Sequence, residues 1–140
     1  MVFPIMVFAM EEIEMDCPKC GGLFETVAFN KVKIERCDAC AGLWFDMLEK
    51  EDLLKMKGSE VIDIGDEQVG EDHDQMRKID CPRCKARMIP MIDKDQFHIH
   101  YECCPSCYGA YFDAGEFRDL KEHKVVERFV QMLQTIRTHL

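Results

Sequence analysis

The stretch "CDACAGLWFDMLE", Cys37 to Glu49, returns near the other end of the chain as "CPSCYGAYFDAGE", Cys104 to Glu116. Each opens on a Cys-x-x-Cys pair and closes on an aromatic residue, an Asp and a Glu at fixed distances. Upstream of each lies another pair, Cys17/Cys20 in "CPKC" and Cys81/Cys84 in "CPRC". The first pairs match at an offset of 64 residues. Gly42, Phe45, Asp46 and Glu49 match Gly109, Phe112, Asp113 and Glu116, with their cysteine pairs, at an offset of 67. The second copy thus carries three extra residues between its knuckles, and the chain is an internal duplication.

Eight of the nine cysteines fall into these four pairs, and Cys103 is left over. Pairs at this density mean disulfides in a secreted chain or metal sites in a reducing compartment. The opening "MVFPIMVFAM" has no Lys or Arg ahead of it, no small-residue cleavage pattern, and a proline at position 4. That is a poor signal peptide. Ten apolar residues also fall short of the roughly 20 needed to span a bilayer. The expected location is cytoplasmic, with reduced thiols. Met1 to Met10 reads as a packed strand, or as residues ahead of a later start at Met6, Met10 or Met15; a partner-binding segment is the alternative.

Two Cys-x-x-Cys turns brought together by a hairpin close a tetrahedron of sulfurs around zinc, each about 2.3 Å from the metal. The predicted ligands are Cys17, Cys20, Cys37 and Cys40 for one Zn2+, and Cys81, Cys84, Cys104 and Cys107 for a second. Energetics agree, since a ribbon below about 40 residues usually needs a metal or disulfides to offset its chain entropy. Structural zinc supplies on the order of 10 to 16 kcal/mol in comparable peptides. The competing assignment, redox-active dithiols, wants the pair at a helix N-terminus beside a βαβ pattern. Here each pair sits in or beside a hairpin.

Between the knuckles of the second copy, Phe97, Ile99 and Tyr101 alternate with His98, His100 and Glu102, the period of a half-buried strand, with the turn at Asp93 to Gln96. The first copy runs Leu23 to Phe29, turns near Asn30 and Lys31, and turns Val32 and Ile34 inward. A helix is predicted after each second knuckle, with Asp46 and Asp113 as N-caps and Glu49 and Glu116 completing capping boxes. The first runs to about Lys57 and stops at Gly58. The second runs from about Ala114 almost to Leu140, roughly 40 Å at 1.5 Å per residue. Its Phe117, Leu120, Val126, Phe129, Val130, Leu133, Ile136 and Leu140 form an apolar stripe that needs a cover, from its own ribbons or from a partner. Gly58 to Gln75 holds seven acidic residues and no Lys or Arg, which predicts a partly flexible linker, although "EVIDI" could form a short strand.

The expected fold is therefore a small metal-stabilised α+β protein: two tandem zinc ribbons, each a hairpin plus helix, and a long C-terminal amphipathic helix. Its segments are 1–16 (apolar, then acidic), 17–57 (first ribbon and helix), 58–76 (acidic linker), 77–113 (second ribbon) and 114–140 (helix). Cys103 aligns with Arg36 rather than a ligand and should stand outside the metal site. His98 and His100 read as solvated. Trp44 and Tyr111, four residues after the last ligand of each site, read as packing over a knuckle and shielding sulfur. Gly42 and Gly109 suit the tight backbone after a knuckle, where a positive φ is often required.

These residues resemble the transcription factor IIB-type zinc ribbon family, whose pattern joins two knuckles to a Gly-x-Trp-x-Asp-x-Gly-Glu-Leu tail. The resemblance spans Cys17 to about Leu54 and Cys81 to about Leu120. It implies zinc at the same eight cysteines. Leu48 stands for the glycine in the first copy, and Tyr111 and Phe117 stand for the tryptophan and leucine in the second. Members are commonly small proteins without assigned activity, so the resemblance says little about function, and its link to transcription is an analogy of fold.

A closed four-sulfur site has no place for water or substrate, and no phosphate-binding glycine loop is present, so no enzyme activity is expected. The first functional expectation is a protein-interaction or regulatory module, with a partner protein or a second copy on the C-terminal helix. The alternative is nucleic-acid binding through Arg77, Lys78, Arg83, Lys85 and Arg87 in "RKIDCPRCKARM", which the net charge of −9 opposes at long range. A further alternative is rubredoxin-like iron in the same sulfurs, making an electron carrier.

Overall fold

The computed structural model describes residues 15–76, 78–93 and 99–139, without the side chains of 123–131 and 139. In the first copy, strands β1 (Phe24–Phe29) and β2 (Val32–Cys37) pair antiparallel from Phe24↔Cys37 to Phe29↔Val32. The chain reverses at Asn30, whose φ of 54° is one that asparagine tolerates better than most side chains. Strand β3 (Leu43–Phe45) adds to β2. The second copy repeats the arrangement with β4 (Ile89–Ile92), β5 (His100–Cys103) and β6 (Ala110–Phe112).

The two copies are not separate beads. Strand β3 pairs antiparallel with β6 through Leu43↔Phe112, Trp44↔Tyr111 and Phe45↔Ala110, giving one six-stranded sheet in the order β1-β2-β3-β6-β5-β4. Trp44 and Tyr111 are equivalent positions and face each other at its centre, so an approximate two-fold axis passes between them. Each ribbon closes the edge that the other would leave open. One core, around Ile34, Leu43, Phe45, Ile99, Phe112 and Phe117, therefore draws on both copies. Phe45 meets Phe112 edge to face at 5.5 Å and Phe117 at 5.2 Å.

The acidic segment departs from the flexible linker expected of it. Ser59–Ile62 form a 3-10 turn, not a strand, and α2 (Glu67–Asp74) follows the short helix α1 (Glu49–Leu54). The charges mislead because the apolar and small residues among them do the packing. Ile62 is buried in the core. A Cβ on Gly65 or Gly70 would collide with Ala114, so both glycines let the segment lie flush on the second copy. Asp63 accepts the backbone N–H groups of Gly115 and Arg118, each at 2.9 Å, and Asp66 caps α2 by accepting from Gln68 N–H at 2.8 Å. The buried Lys121 ammonium bonds Ser59 Oγ at 2.6 Å and the Met56 carbonyl.

Helix α1 is shorter than its pattern suggests. After Leu54 the bonds tighten to three-residue turns, Lys55 N–H to the Asp52 carbonyl and Met56 N–H to that of Leu53, and the Ser59 hydroxyl donates to the Leu53 carbonyl at 2.5 Å. Its start also differs from the expected cap. Glu49 does accept the Asp46 N–H at 2.6 Å, half of a capping box, but the cap position falls on Leu48, and neither Asp46 nor Asp113 uses its side chain there. Leu48 sits at φ 72°, where its counterpart Gly115 sits at 87°. A leucine in that conformation costs about 1–2 kcal/mol.

Helix α3 spans Glu116–His139, 24 residues, two later at its start than predicted. Phe117 and Leu120 are buried, whereas Met132, Leu133 and Ile136 are exposed. Val126, Phe129 and Val130, the middle of the expected apolar stripe, lie among the residues whose side chains fall outside the description, as does the structure of Leu140. The expected turn at Asp93 to Gln96 likewise falls mostly outside the described residues, as do Phe97, His98 and the segment 1–14.

Candidate metal centres

The knuckles are built by local backbone bonding. Cys17 N–H bonds the Gly22 carbonyl at 2.7 Å and Gly21 N–H returns to the Cys17 carbonyl at 3.0 Å; the loops opened by Cys37, Cys81 and Cys104 repeat both bonds. In all four, the residue after the second cysteine is left-handed: Gly21 (φ 78°), Ala41 (64°), Lys85 (66°) and Tyr108 (62°). Gly42 and Gly109 were expected to hold that conformation, and they do not. Their missing side chains serve the partner copy instead, since a Cβ on Gly42 would strike the Tyr111 hydroxyl and one on Gly109 the Trp44 ring.

This fold brings the predicted ligands together in two sets, Cys17/Cys20/Cys37/Cys40 and Cys81/Cys84/Cys104/Cys107, with the sulfurs of each set within 4.8 Å of one another. Zinc–sulfur bonds of about 2.3 Å at tetrahedral angles require sulfurs about 3.8 Å apart. Measured separations are 3.8 Å (Cys17–Cys40) and 3.4 Å (Cys20–Cys37) in the first set, and 3.7 Å (Cys81–Cys107) and 3.2 Å (Cys84–Cys104) in the second. None is a disulfide. Backbone N–H groups converge on the sulfurs at 3.4–3.5 Å, as from Gly22 to Cys20, Cys40 to Cys37 and Cys107 to Cys104, and would spread the charge of four thiolates. The donors, spacing and surroundings fit two zinc ions, one per ribbon.

Tyr111 crosses the axis to complete the first site. Its hydroxyl lies 3.3 Å from Cys17 Sγ and 3.5 Å from Cys40 Sγ, within hydrogen-bond reach of both, and burial beside those sulfurs pushes its phenol up, keeping the proton on oxygen. Each aromatic thus packs on the opposite copy's knuckle, which the sequence could not show.

A second crossed contact escaped the sequence reading. Lys19 and Arg83 hold the same place inside the first knuckle of each copy. Lys19 Nζ reaches Asp113 at 2.8 Å and Glu102 at 2.7 Å, all three side chains being buried. Arg83 reaches Asp46 at 2.9 Å, near Glu35 and Glu49, with about half of each paired side chain exposed. The carboxylates of Glu35, Asp46 and Glu49 lie within 4.8 Å of one another. Burial, then repulsion from Asp46 and Glu49, raises Glu35 to about 7. Burial raises Glu102 to about 7 and Glu116 to about 8.

Cys103 stays out of both sets, as its alignment with Arg36 implied, and burial pushes its thiol up. His100 joins neither set and is half-buried rather than solvated; its backbone N–H bonds Glu116.

Residues 16–56 and 80–123 each match the family described as Transcription factor zinc-finger, the TFIIB-type zinc ribbon. The chain belongs to this family. The two matches cover well over half of it and coincide with the two copies. No curated protein and no solved structure matches the chain. Among the described residues of this zinc ribbon protein, no helix is long and apolar enough to cross a membrane.

Proposed function

We propose that this tandem zinc ribbon protein is a non-catalytic binding module, held in shape by two closed zinc sites, and that it engages a partner protein or a second copy through its C-terminal helix. The observation that carries this is the distal part of α3. Met132, Leu133 and Ile136 are 44–50% exposed there, spaced three and four apart, while the same helix buries Phe117 and Leu120 near its start. Apolar side chains repeated at helical spacing favour a covering surface. The closed sulfur sites support a structural role for the metal rather than a chemical one.

On a sizing column the zinc-loaded chain should run larger than a monomer, or should do so with its partner, and deleting 125–140 should abolish that shift. A compact monomer whose mass and solubility survive the deletion overturns the proposal. Nucleic-acid binding is the second reading, favoured only by the basic run around Cys81. Arg83 and Arg87 there face Asp46 and Asp80, each at about 2.8–2.9 Å, and the net charge is −9. Binding that persists in moderate salt and falls on changing Arg83 and Arg87 to Glu would restore it. Zinc predicts a colourless protein, whereas ferric iron in four thiolates absorbs in the visible.

A further inference from the structure

The approximate two-fold axis makes one groove of the molecule the twin of another, and among the described residues only one of the two is filled. In the filled groove the chain lays its own residues 62–67 across the seam between the two copies. Ile62 joins the core around Ile34, Leu43 and Phe117, and its carbonyl accepts from Arg36 at 3.0 Å. Arg118 Nη1 holds the Asp63 carbonyl at 2.7 Å, and Nη2 reaches the Gly65 carbonyl and the Glu67 carboxylate at 3.4 Å.

Rotation about the axis carries that surface onto a groove of about 450 Å³ beside α1, a volume within the range of ligand-binding clefts. Tyr101, Ala110 and Lys50 stand there for Ile34, Leu43 and Phe117, with the Lys50 ammonium 4.5 Å from the centre of the Tyr101 ring. Met47 and Leu48 stand for Ala114 and Gly115, and Tyr108 for Ala41; all three are more than half exposed. The filled groove has small residues at its rim to admit bare backbone. Its twin has large apolar ones, suited to gripping a side chain. Leu48 takes up this rim position in a left-handed conformation that glycine holds more easily, an outlier of the kind that marks functional surfaces. Charge is inverted at one position. Glu51 stands where Arg118 pairs with Glu67; its side chain is about half exposed although Lys50 reaches it at 3.3 Å, while Asp46 at the edge is already held by Arg83.

We infer that the groove formed by Met47, Leu48, Tyr101 and Tyr108 binds an extended segment of a partner protein, one that carries an apolar residue and, about five positions on, Lys or Arg. It would lie as Ile62 and Glu67 lie in the twin, with the opposite charge. This rests on the reading of the protein as a binding module but uses a surface separate from the C-terminal helix.

The probe is a fluorescein-labelled peptide, KVIKIGKK, the charge-inverted copy of EVIDIGDE (residues 60–67), titrated by fluorescence anisotropy with the zinc-loaded full chain. Saturable binding is expected, with a dissociation constant on the order of 10–100 µM. Tyr108→Ser should weaken it by about tenfold, and Glu51→Lys should switch preference towards EVIDIGDE. Zinc content and urea midpoint confirm that each variant is folded. Should a variant not fold, competition between unlabelled KVIKIGKK and a scramble of the same composition and charge decides alone: weaker displacement by the scramble supports the groove. No saturation up to about 1 mM, equal affinity for the two peptides, or a Glu51→Lys variant that binds unchanged overturns it. Leu133→Glu with Ile136→Glu should leave peptide affinity unaltered while disrupting association through the helix, which separates failure of the groove from failure of the proposed function.

Discussion

Lys19 and Arg83 occupy the same place in the same motif, yet they live in different environments. Lys19 is shut away with two carboxylates, and its ammonium also bonds the His73 carbonyl at 3.1 Å. Arg83 meets its carboxylate at the surface. What separates them is α2, which lies over the Lys19 side of the sheet and has no counterpart over Arg83 among the described residues. Duplicated sequence therefore does not mean duplicated energetics, because a third element can cover one copy and turn a surface ion pair into a buried one.

The broadest way to break the comparison is to remove the metal. Since the copies share one sheet and Tyr111 reaches the sulfurs of the other site, chelation is expected to unfold both together, releasing two zinc ions in one transition. A metal-sensitive dye and circular dichroism followed in parallel would check this, and two separated steps would mean independent ribbons. The loss should be on the order of 10 kcal/mol per site.

Substituting the two basic residues tests the contrast directly. Lys19→Met leaves Glu102 and Asp113 buried without their cation and should cost about 3–5 kcal/mol. Arg83→Met should cost about 0–1 kcal/mol. Urea midpoints of the zinc-loaded variants decide, and equal losses would mean that the cover over Lys19 contributes nothing. Prising off that cover should have an intermediate effect. In Gly70→Ala the new methyl meets the Ala114 carbonyl, so α2 must lift, at about 1–3 kcal/mol by the same measurement. Lys19 should then behave more like Arg83, its substitution costing less in the Gly70→Ala background.

The smallest expected effect is with pH. Glu35 and Glu102 are raised to about 7 and Glu116 to about 8. A carboxyl whose folded value exceeds its unfolded one contributes stability that is complete below the unfolded value and is lost as pH rises through the folded value. With zinc saturating, the eight thiols lose their protons on binding and stability climbs with pH, so these carboxyls subtract from that climb. Glu35→Gln should therefore make the urea midpoint rise more steeply from pH 6 to pH 8 than in the unsubstituted chain. An unchanged or shallower rise contradicts the assignment.

Much of the metal centre was legible in the sequence because a knuckle is a local object: Cys-x-x-Cys spacing fixes where two sulfurs point, and the hairpin from Phe24 to Cys37 follows from period-two alternation. The pairing of β3 with β6 was not legible, although its signal was present. "LWF" and "AYF" are apolar on both faces, and such short strands need a neighbour on each side. The acidic segment was misread because charge counting weighs Asp63 as solvated, whereas it is 2% exposed and bonded to two backbone N–H groups. The glycines after the knuckles were located correctly and explained wrongly, since their purpose lies in the other copy.

The face-to-face placement of Trp44 and Tyr111 bears on how such a chain could arise. A lone ribbon would offer its third strand to an identical molecule, and the same rotation would unite them as a symmetric dimer. Joining the two genes end to end would lock that pairing in at any concentration. One half would then be free to replace the tryptophan by a tyrosine whose hydroxyl serves its neighbour's sulfurs.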